Sequence, residues 1–118
     1  MAVWISSIAL GGAAGALLRW AIGHFISTQT SRPGWWATAI ANAAGCLLIG
    51  LFAALPDLPE PLLVGGFCGA LTTFSSLALD IAMLTMQGRY RLGACLALGS
   101  LTGGAGLVVA GLAMGGPL

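Results

Sequence analysis

Four long apolar stretches make up most of the chain, and short polar segments separate them. The apolar stretches run over residues 3–26, 35–55, 61–86 and 92–114. Each has roughly 20 residues or more, and a helix rising ~1.5 Å per residue then crosses the ~30 Å hydrocarbon core of a bilayer. Because lipid offers no partner to a bare backbone, such segments must be helical. The pattern therefore predicts an all-α integral membrane protein, with four transmembrane helices in a single domain, 1–118.

The separating segments have the residues of turns and of membrane interfaces. Proline, glycine and polar residues fill positions 27–34, 56–61 and 87–91, which favours loops there. Tryptophan and tyrosine prefer the headgroup region. They occur near the ends of the apolar stretches, at Trp4, Trp20, Trp35, Trp36 and Tyr90.

Composition supports the membrane interpretation. Only 6% of the residues are charged, against roughly 25% in a soluble domain, so most of the surface must face lipid. The net charge of +1 gives no indication of nucleic-acid binding. The three cysteines lie inside apolar stretches, where we expect small buried packing residues and not a disulfide or a metal site.

The loop charges are unevenly distributed. The first and third loops carry Arg32, Arg89 and Arg91, whereas the second carries Asp57 and Glu60. The positive-inside rule would place the first and third loops in the cytoplasm and both termini outside.

Small residues recur at helical spacing on every predicted span, and such rows let helix backbones approach closely. A bundle this compact leaves no interior channel, so any permeation path must involve a partner chain. The rows are Gly11, Gly15 and Gly23; Ala37, Ala41 and Gly45; Gly65 and Gly69; and Gly99 with Gly103 and Gly111 with Gly115.

Polar side chains at membrane depth are costly unless they face protein or water. Arg19 continues the glycine row of the first span, and it could pair with an acid such as Asp80 or form a vestibule that attracts anions. Thr38 and Asn42 are one helical turn apart, on one face of the second span. They could link helices, or they could form a ladder of donors for an anion. Ser100 alone would be interpreted as a packing residue.

The third span has an unusual centre. Residues 65–76 contain three glycines and four hydroxyl side chains, a combination that favours a break in the helix. Broken helices at mid-membrane are common ion sites in transport proteins. A continuous helix whose hydroxyls bond to the i−4 carbonyls is the alternative.

These residues resemble the small fluoride channels of the Fluc or CrcB family, over essentially the whole chain. The resemblance rests on residues 11–20, on Thr38 and Asn42 with the glycines that follow, on residues 66–75, and on Gly99-Ser100. It implies an antiparallel homodimer in the inner membrane, whose two pores along the interface let cytoplasmic fluoride leave passively, with no catalysis. It implies pore residues Asn42, Phe74, Ser76 and Ser100, with Thr38 as a neighbour.

The resemblance also implies a structural sodium ion at the dimer centre, held by the backbone carbonyls of Gly69 and Thr72. Two positions depart from the family pattern, since Leu77 replaces a second phenylalanine and Leu96 a frequent tyrosine or histidine. These departures and the loop arginines leave open a subunit that pairs with a second homologue, or a non-conducting partner of another membrane protein. A proton-coupled small exporter is a further alternative, but the first span lacks the carboxylate that such exporters use.

Overall fold

The computed structural model describes residues 1–116, so the last two residues of the predicted domain lie outside the described residues. Its elements are α1 (Ala2–Gln29), α2 (Trp35–Ala54), a π-helix (Pro61–Cys68), α3 (Gly69–Leu71), α4 (Phe74–Met86) and α5 (Tyr90–Gly115). Four helical segments are long and apolar enough to cross a membrane, with Pro61–Met86 taken as one. The prediction of an all-helical protein with four spans is confirmed, although the first and last helices extend a few residues beyond the predicted bounds.

The loops follow from local backbone preferences. Thr30 leaves the helical region with φ −132° and ψ 160°, and Pro33 then prevents α1 from continuing. Pro61 lies at the start of the π-helix, where its missing N–H has no helical partner to lose. Gly88 has φ 78° in the turn between α4 and α5, a conformation that glycine adopts without steric cost.

Two helix pairs form the body of the molecule. α5 packs along α2, and α1 packs along the π-helix. At both contacts glycine brings backbones together, because a Cβ on Gly11 would collide with the carbonyl oxygen of Leu62, and one on Gly50 with that of Val108. Gly11 therefore packs helices as its predicted row implies, and Gly50, which was in no predicted row, does the same.

Other glycines of the predicted rows stay uncovered within one chain. Gly65, Gly69, Gly99 and Gly103 are exposed, and a Cβ on Gly99 or Gly103 would meet no atom within 4 Å. Their rows therefore form a surface of the single chain and not its core.

The core is small and most large apolar side chains point outward, as expected for a chain whose solvent is lipid. The buried apolar residues are Ile26, Ala41, Cys68, Leu71, Leu84 and Leu96. The expectation that all three cysteines are buried is wrong for Cys95, which is exposed. An apolar stretch in a membrane protein has a lipid-facing side, and hydropathy does not distinguish that side from the core.

Candidate functional site

The helical pattern of the third span is interrupted at two threonines. Thr72 has φ −81° and ψ 152°, and Thr73 has φ −150° and ψ 121°, so both have extended backbones. The hydroxyl of Thr72 bonds back to the carbonyl of Cys68 at 3.0 Å, but the helix does not continue through it. The same carbonyl also accepts from the N–H of Thr72 at 3.0 Å, so regular helical bonding reaches Thr72 and ends there.

Thr73 begins the next helix. Its Oγ1 accepts a hydrogen bond from the backbone N–H of Ser76 at 3.2 Å, which is the N-cap of α4. The same hydroxyl donates to Ser76 Oγ at 3.3 Å and lies 3.3 Å from Ser75 Oγ. Three hydroxyl groups therefore meet at the start of α4.

Asn42 bridges α2 to the interruption through two hydrogen bonds. Its Nδ2 donates to the carbonyl of Thr73 at 3.0 Å, and its Oδ1 accepts from the N–H of Thr73 at 2.7 Å. These bonds fix the orientation of the amide, because a carbonyl accepts and an N–H donates. One N–H of Nδ2 remains for another acceptor.

The bond from Thr73 N–H to Asn42 and the N-cap bond of Thr73 leave two backbone carbonyls without their regular helical partners. In a continuous helix Gly69 C=O would accept from the N–H of Thr73, but that N–H goes to Asn42. The carbonyl of Thr72 would accept from Ser76, whose N–H goes to Thr73 Oγ1 instead. Both carbonyl oxygens can therefore accept from, or bind, something else.

Two open cavities flank the contact between Asn42 and Thr73. We call the first the Arg19 cavity; it has a volume of about 530 Å³, and its lining includes Arg19, Thr38, Thr73 and Ser76. The second, the Ser100 cavity, lies between α2 and α5, has about 400 Å³, and its lining includes Asn42 and Ser100. Four of the five predicted pore residues are thus divided between two cavities, since Thr38 and Ser76 line the first and Asn42 and Ser100 the second. Thr73 lines the first cavity and its partner Asn42 the second.

Phe74 lies apart from both cavities. It is the first residue of α4, its side chain is 83% exposed, and it is absent from both linings. A single chain therefore does not bring Phe74 against Ser100.

The Ser100 cavity is otherwise largely apolar. Leu96 lines it and is 8% exposed, so this position contributes an apolar side chain to the wall. Trp35 also lines this cavity, and its buried Nε1 has no hydrogen-bond partner in the described part of the chain.

The expected pairing of Arg19 with Asp80 is not formed. Oδ2 of Asp80 is buried and has no hydrogen-bond partner within residues 1–116, whereas Arg19 is exposed and lines its cavity. Arg19 lies on α1 and Asp80 on α4. Their opposite charges suggested the pairing, but the sequence does not show whether the two helices bring them together. The vestibule alternative for Arg19 remains.

A metal centre built from side chains is not present. Within residues 1–116 no three His, Cys, Asp or Glu side chains come close enough to hold a metal ion. Any cation here would depend on backbone oxygens such as those of Gly69 and Thr72.

The residue that the sequence analysis missed is Thr73. It caps α4, partners Asn42 and lines the Arg19 cavity. Its signal was available, because a threonine that follows a predicted break and directly precedes an apolar helical stretch is a typical N-cap.

Comparison with known proteins gives consistent matches along the chain. The family model described as "CrcB-like protein, Camphor Resistance (CrcB)" matches residues 6–112. A protein of Stutzerimonas stutzeri named "Fluoride-specific ion channel FluC" is 42% identical over 115 residues, which cover 92% of this chain and 93% of that protein. A protein of Pseudomonas fluorescens with the same name is 40% identical over 93% of this chain and 94% of that protein. One of Azotobacter vinelandii, also with that name, is 41% identical over 90% of this chain and 91% of that protein.

Proposed function

The chain belongs to the CrcB family, and from that membership we propose that it is a passive, fluoride-selective channel that works as an antiparallel dimer. It is a multi-pass membrane protein, which in a bacterium means the inner membrane, and it is not an enzyme. The observation that carries the proposal is the bonded pair of Asn42 and Thr73, surrounded by hydroxyl groups, between two cavities.

Fluoride requires donors that replace its water. The remaining N–H of Asn42 and the hydroxyls of Ser76 and Ser100 supply them, and hydrogen bonds to a charged partner are stronger than those between neutral groups. Thr38 lies on the wall of the Arg19 cavity with Ser76, so its hydroxyl is a further donor. The positive charge of Arg19 at the same cavity raises the local concentration of anions.

A second copy would close the route. The cavities are open in one chain, and the exposed rows of Gly65 with Gly69 and Gly99 with Gly103 would let another backbone approach closely. A partner packed here would also cover Phe74, which is 83% exposed. An aromatic ring is positive at its edge, so a Phe74 edge facing the partner's Ser100 cavity would attract a small anion.

A structural sodium ion fits the interruption chemically. The carbonyls of Gly69 and Thr72 have lost their regular partners to Asn42 and Thr73 Oγ1, and a hard cation prefers such oxygen ligands. Two inverted copies would contribute both pairs of carbonyls. Bound there, sodium would supply a positive charge and fix the two chains together.

Efflux from liposomes tests the function. The purified chain alone is reconstituted into liposomes with potassium fluoride inside, and valinomycin is added. A fluoride electrode records external fluoride, and a chloride electrode is used when potassium chloride replaces potassium fluoride. We expect fast fluoride efflux that needs no proton gradient, and no efflux when chloride replaces fluoride. Efflux that requires a proton gradient would support an exporter, and equal loss of chloride would exclude fluoride selectivity.

A subunit that pairs with a different homologue is the second candidate. Arg32, Arg89 and Arg91 lie in the first and third loops, which would favour one orientation, whereas inverted copies need both. In the same assay, efflux that appears only after a second family member is co-reconstituted would overturn the homodimer and retain the channel.

A further inference from the structure

His24 lines the Arg19 cavity together with Thr38 and Ser76. We propose that His24 is a second anion-attracting group of this cavity, and that its protonation increases fluoride conduction. This inference rests on the proposed channel function.

The imidazole of His24 is held at the cavity wall and is available to a ligand. Its ring stacks on Trp20 with centroids 5.1 Å apart and an interplanar angle of 13°. The carbonyl of His24 accepts hydrogen bonds from Ser27 Oγ at 3.0 Å and Thr28 Oγ1 at 2.7 Å. Neither bond uses the imidazole, so the ring can donate to an ion in the cavity.

No acidic side chain of residues 1–116 is among those that line the cavity. Among the cavity-lining residues of the described chain, the other ionisable group is Arg19 on the same helix. α2 contributes Ala37 and Thr38, and the interruption and α4 contribute Thr73 and Ser76, all uncharged.

The charged groups on neighbouring segments do not line the cavity; on α4, which contributes Ser76, the carboxyl group of Asp80 is absent from the lining. Residues 61–71, which pack against the other half of α1, contain no Asp, Glu, Lys, Arg or His. In the loop after α1, the Arg32 guanidinium lies 4.5 Å over the Trp36 ring. A positive charge on His24 would therefore add to that of Arg19.

Protonation changes what the ring offers. Neutral imidazole has one N–H donor, whereas imidazolium has two and a positive charge. Histidine is the side chain whose charge ordinarily changes near neutral pH. A second charge at the cavity raises the local fluoride concentration, and conduction at low fluoride should rise with it.

Two substitutions separate the charge from the structural role of this side chain. His24→Gln keeps a donor and removes the charge, whereas His24→Lys fixes the charge. Efflux from liposomes is measured at about pH 5.5 and about pH 7.5, equal on both sides. The leak of protein-free liposomes at each pH is subtracted, because hydrogen fluoride crosses lipid.

We expect the wild type to conduct about threefold faster at the lower pH, because a positive charge near the fluoride path attracts the anion even when salt partly screens it. His24→Lys should be fast at both values and His24→Gln slow at both. A wild type that conducts equally at both values, or a His24→Gln variant that keeps the wild-type pH dependence, would overturn the role of His24 and leave the channel intact. A wild type that does not conduct fluoride at either pH would instead overturn the channel itself. Because His24→Lys and the wild-type profile are independent readouts, a misfolded His24→Gln variant does not prevent the test.

Discussion

Asn42 joins two helices through both atoms of its amide, and this single side chain has two tasks. It occupies the N–H and the carbonyl of Thr73, which a broken helix would otherwise leave unsatisfied at a cost of about 1–3 kcal/mol for each buried group. Asn42 also lines the Ser100 cavity, so its remaining N–H is available to the proposed anion route. The proposed function therefore depends on the same amide as the fold.

Asn42→Asp should reduce fluoride efflux about tenfold or more, which corresponds to ~1.4 kcal/mol. The carboxylate cannot donate to the Thr73 carbonyl, and its negative charge repels the anion. The matched control is Gln29→Glu, the same change at the exposed end of α1, which should conduct like the wild type. If Asn42→Asp forms dimers and conducts normally, Asn42 is not part of the mechanism.

Thr73→Val should lower the stability of the folded protein by about 1 kcal/mol, the usual value of an N-cap. Valine has the same shape but cannot accept from the N–H of Ser76. Thr73→Ser keeps the hydroxyl and should unfold at nearly the wild-type temperature. Circular dichroism of the purified variants in detergent measures both unfolding temperatures. Equal melting of the valine and serine variants would show that the cap contributes nothing.

At the scale of elements, close helix contacts and the interruption of the third span serve different purposes. α1 packs on the π-helix through Gly11 and Gly15, whose added Cβ atoms would collide with the carbonyls of Leu62 and Phe67. This contact holds the segment before Thr72 against α1, so that the interruption meets Asn42 on α2. The rigid part of the third span thus positions its irregular part.

Gly11→Ala should therefore destabilise the protein, by about 1–3 kcal/mol as for other overpacked sites. Gly12→Ala is the matched control, because its Cβ would lie 3.9 Å from the Gly66 carbonyl oxygen, an ordinary contact. Heating the purified variants in detergent should give a lower midpoint for Gly11→Ala alone. Similar midpoints for both would mean that α1 and the π-helix can separate without cost.

At the scale of the whole molecule, one chain leaves the proposed site incomplete. Its two cavities are open, Phe74 is 83% exposed, and the glycine rows of Gly65 with Gly69 and Gly99 with Gly103 are exposed. An inverted second copy would cover all of these surfaces. The loop arginines act against such an arrangement, because they favour one orientation.

Topology measured in cells decides between these effects. Ser31→Cys, placed in the first loop of a variant with Cys46, Cys68 and Cys95 changed to alanine, is treated with a membrane-impermeant maleimide. Inverted copies predict about half of the chains labelled from outside and the rest after permeabilisation, since both orientations then coexist. Labelling from one side only would exclude the antiparallel homodimer. The control is the same variant without Ser31→Cys, which has no cysteine and should not be labelled.

The sequence by itself determined the number and length of the spans, because bilayer thickness and the need to pair every backbone group in lipid act on each segment locally. It also indicated where the third span weakens, since the hydroxyls and glycines that compete with the helix lie in the segment itself. Only the tertiary structure decided that Asn42 binds Thr73, which is 31 residues away, that Phe74 lies apart from the two cavities that the other predicted pore residues line, and that Gly11 is covered while Gly99 is not. Those outcomes depend on how each helix is rotated and shifted against its neighbours, and side-chain contacts across helices fix that rotation.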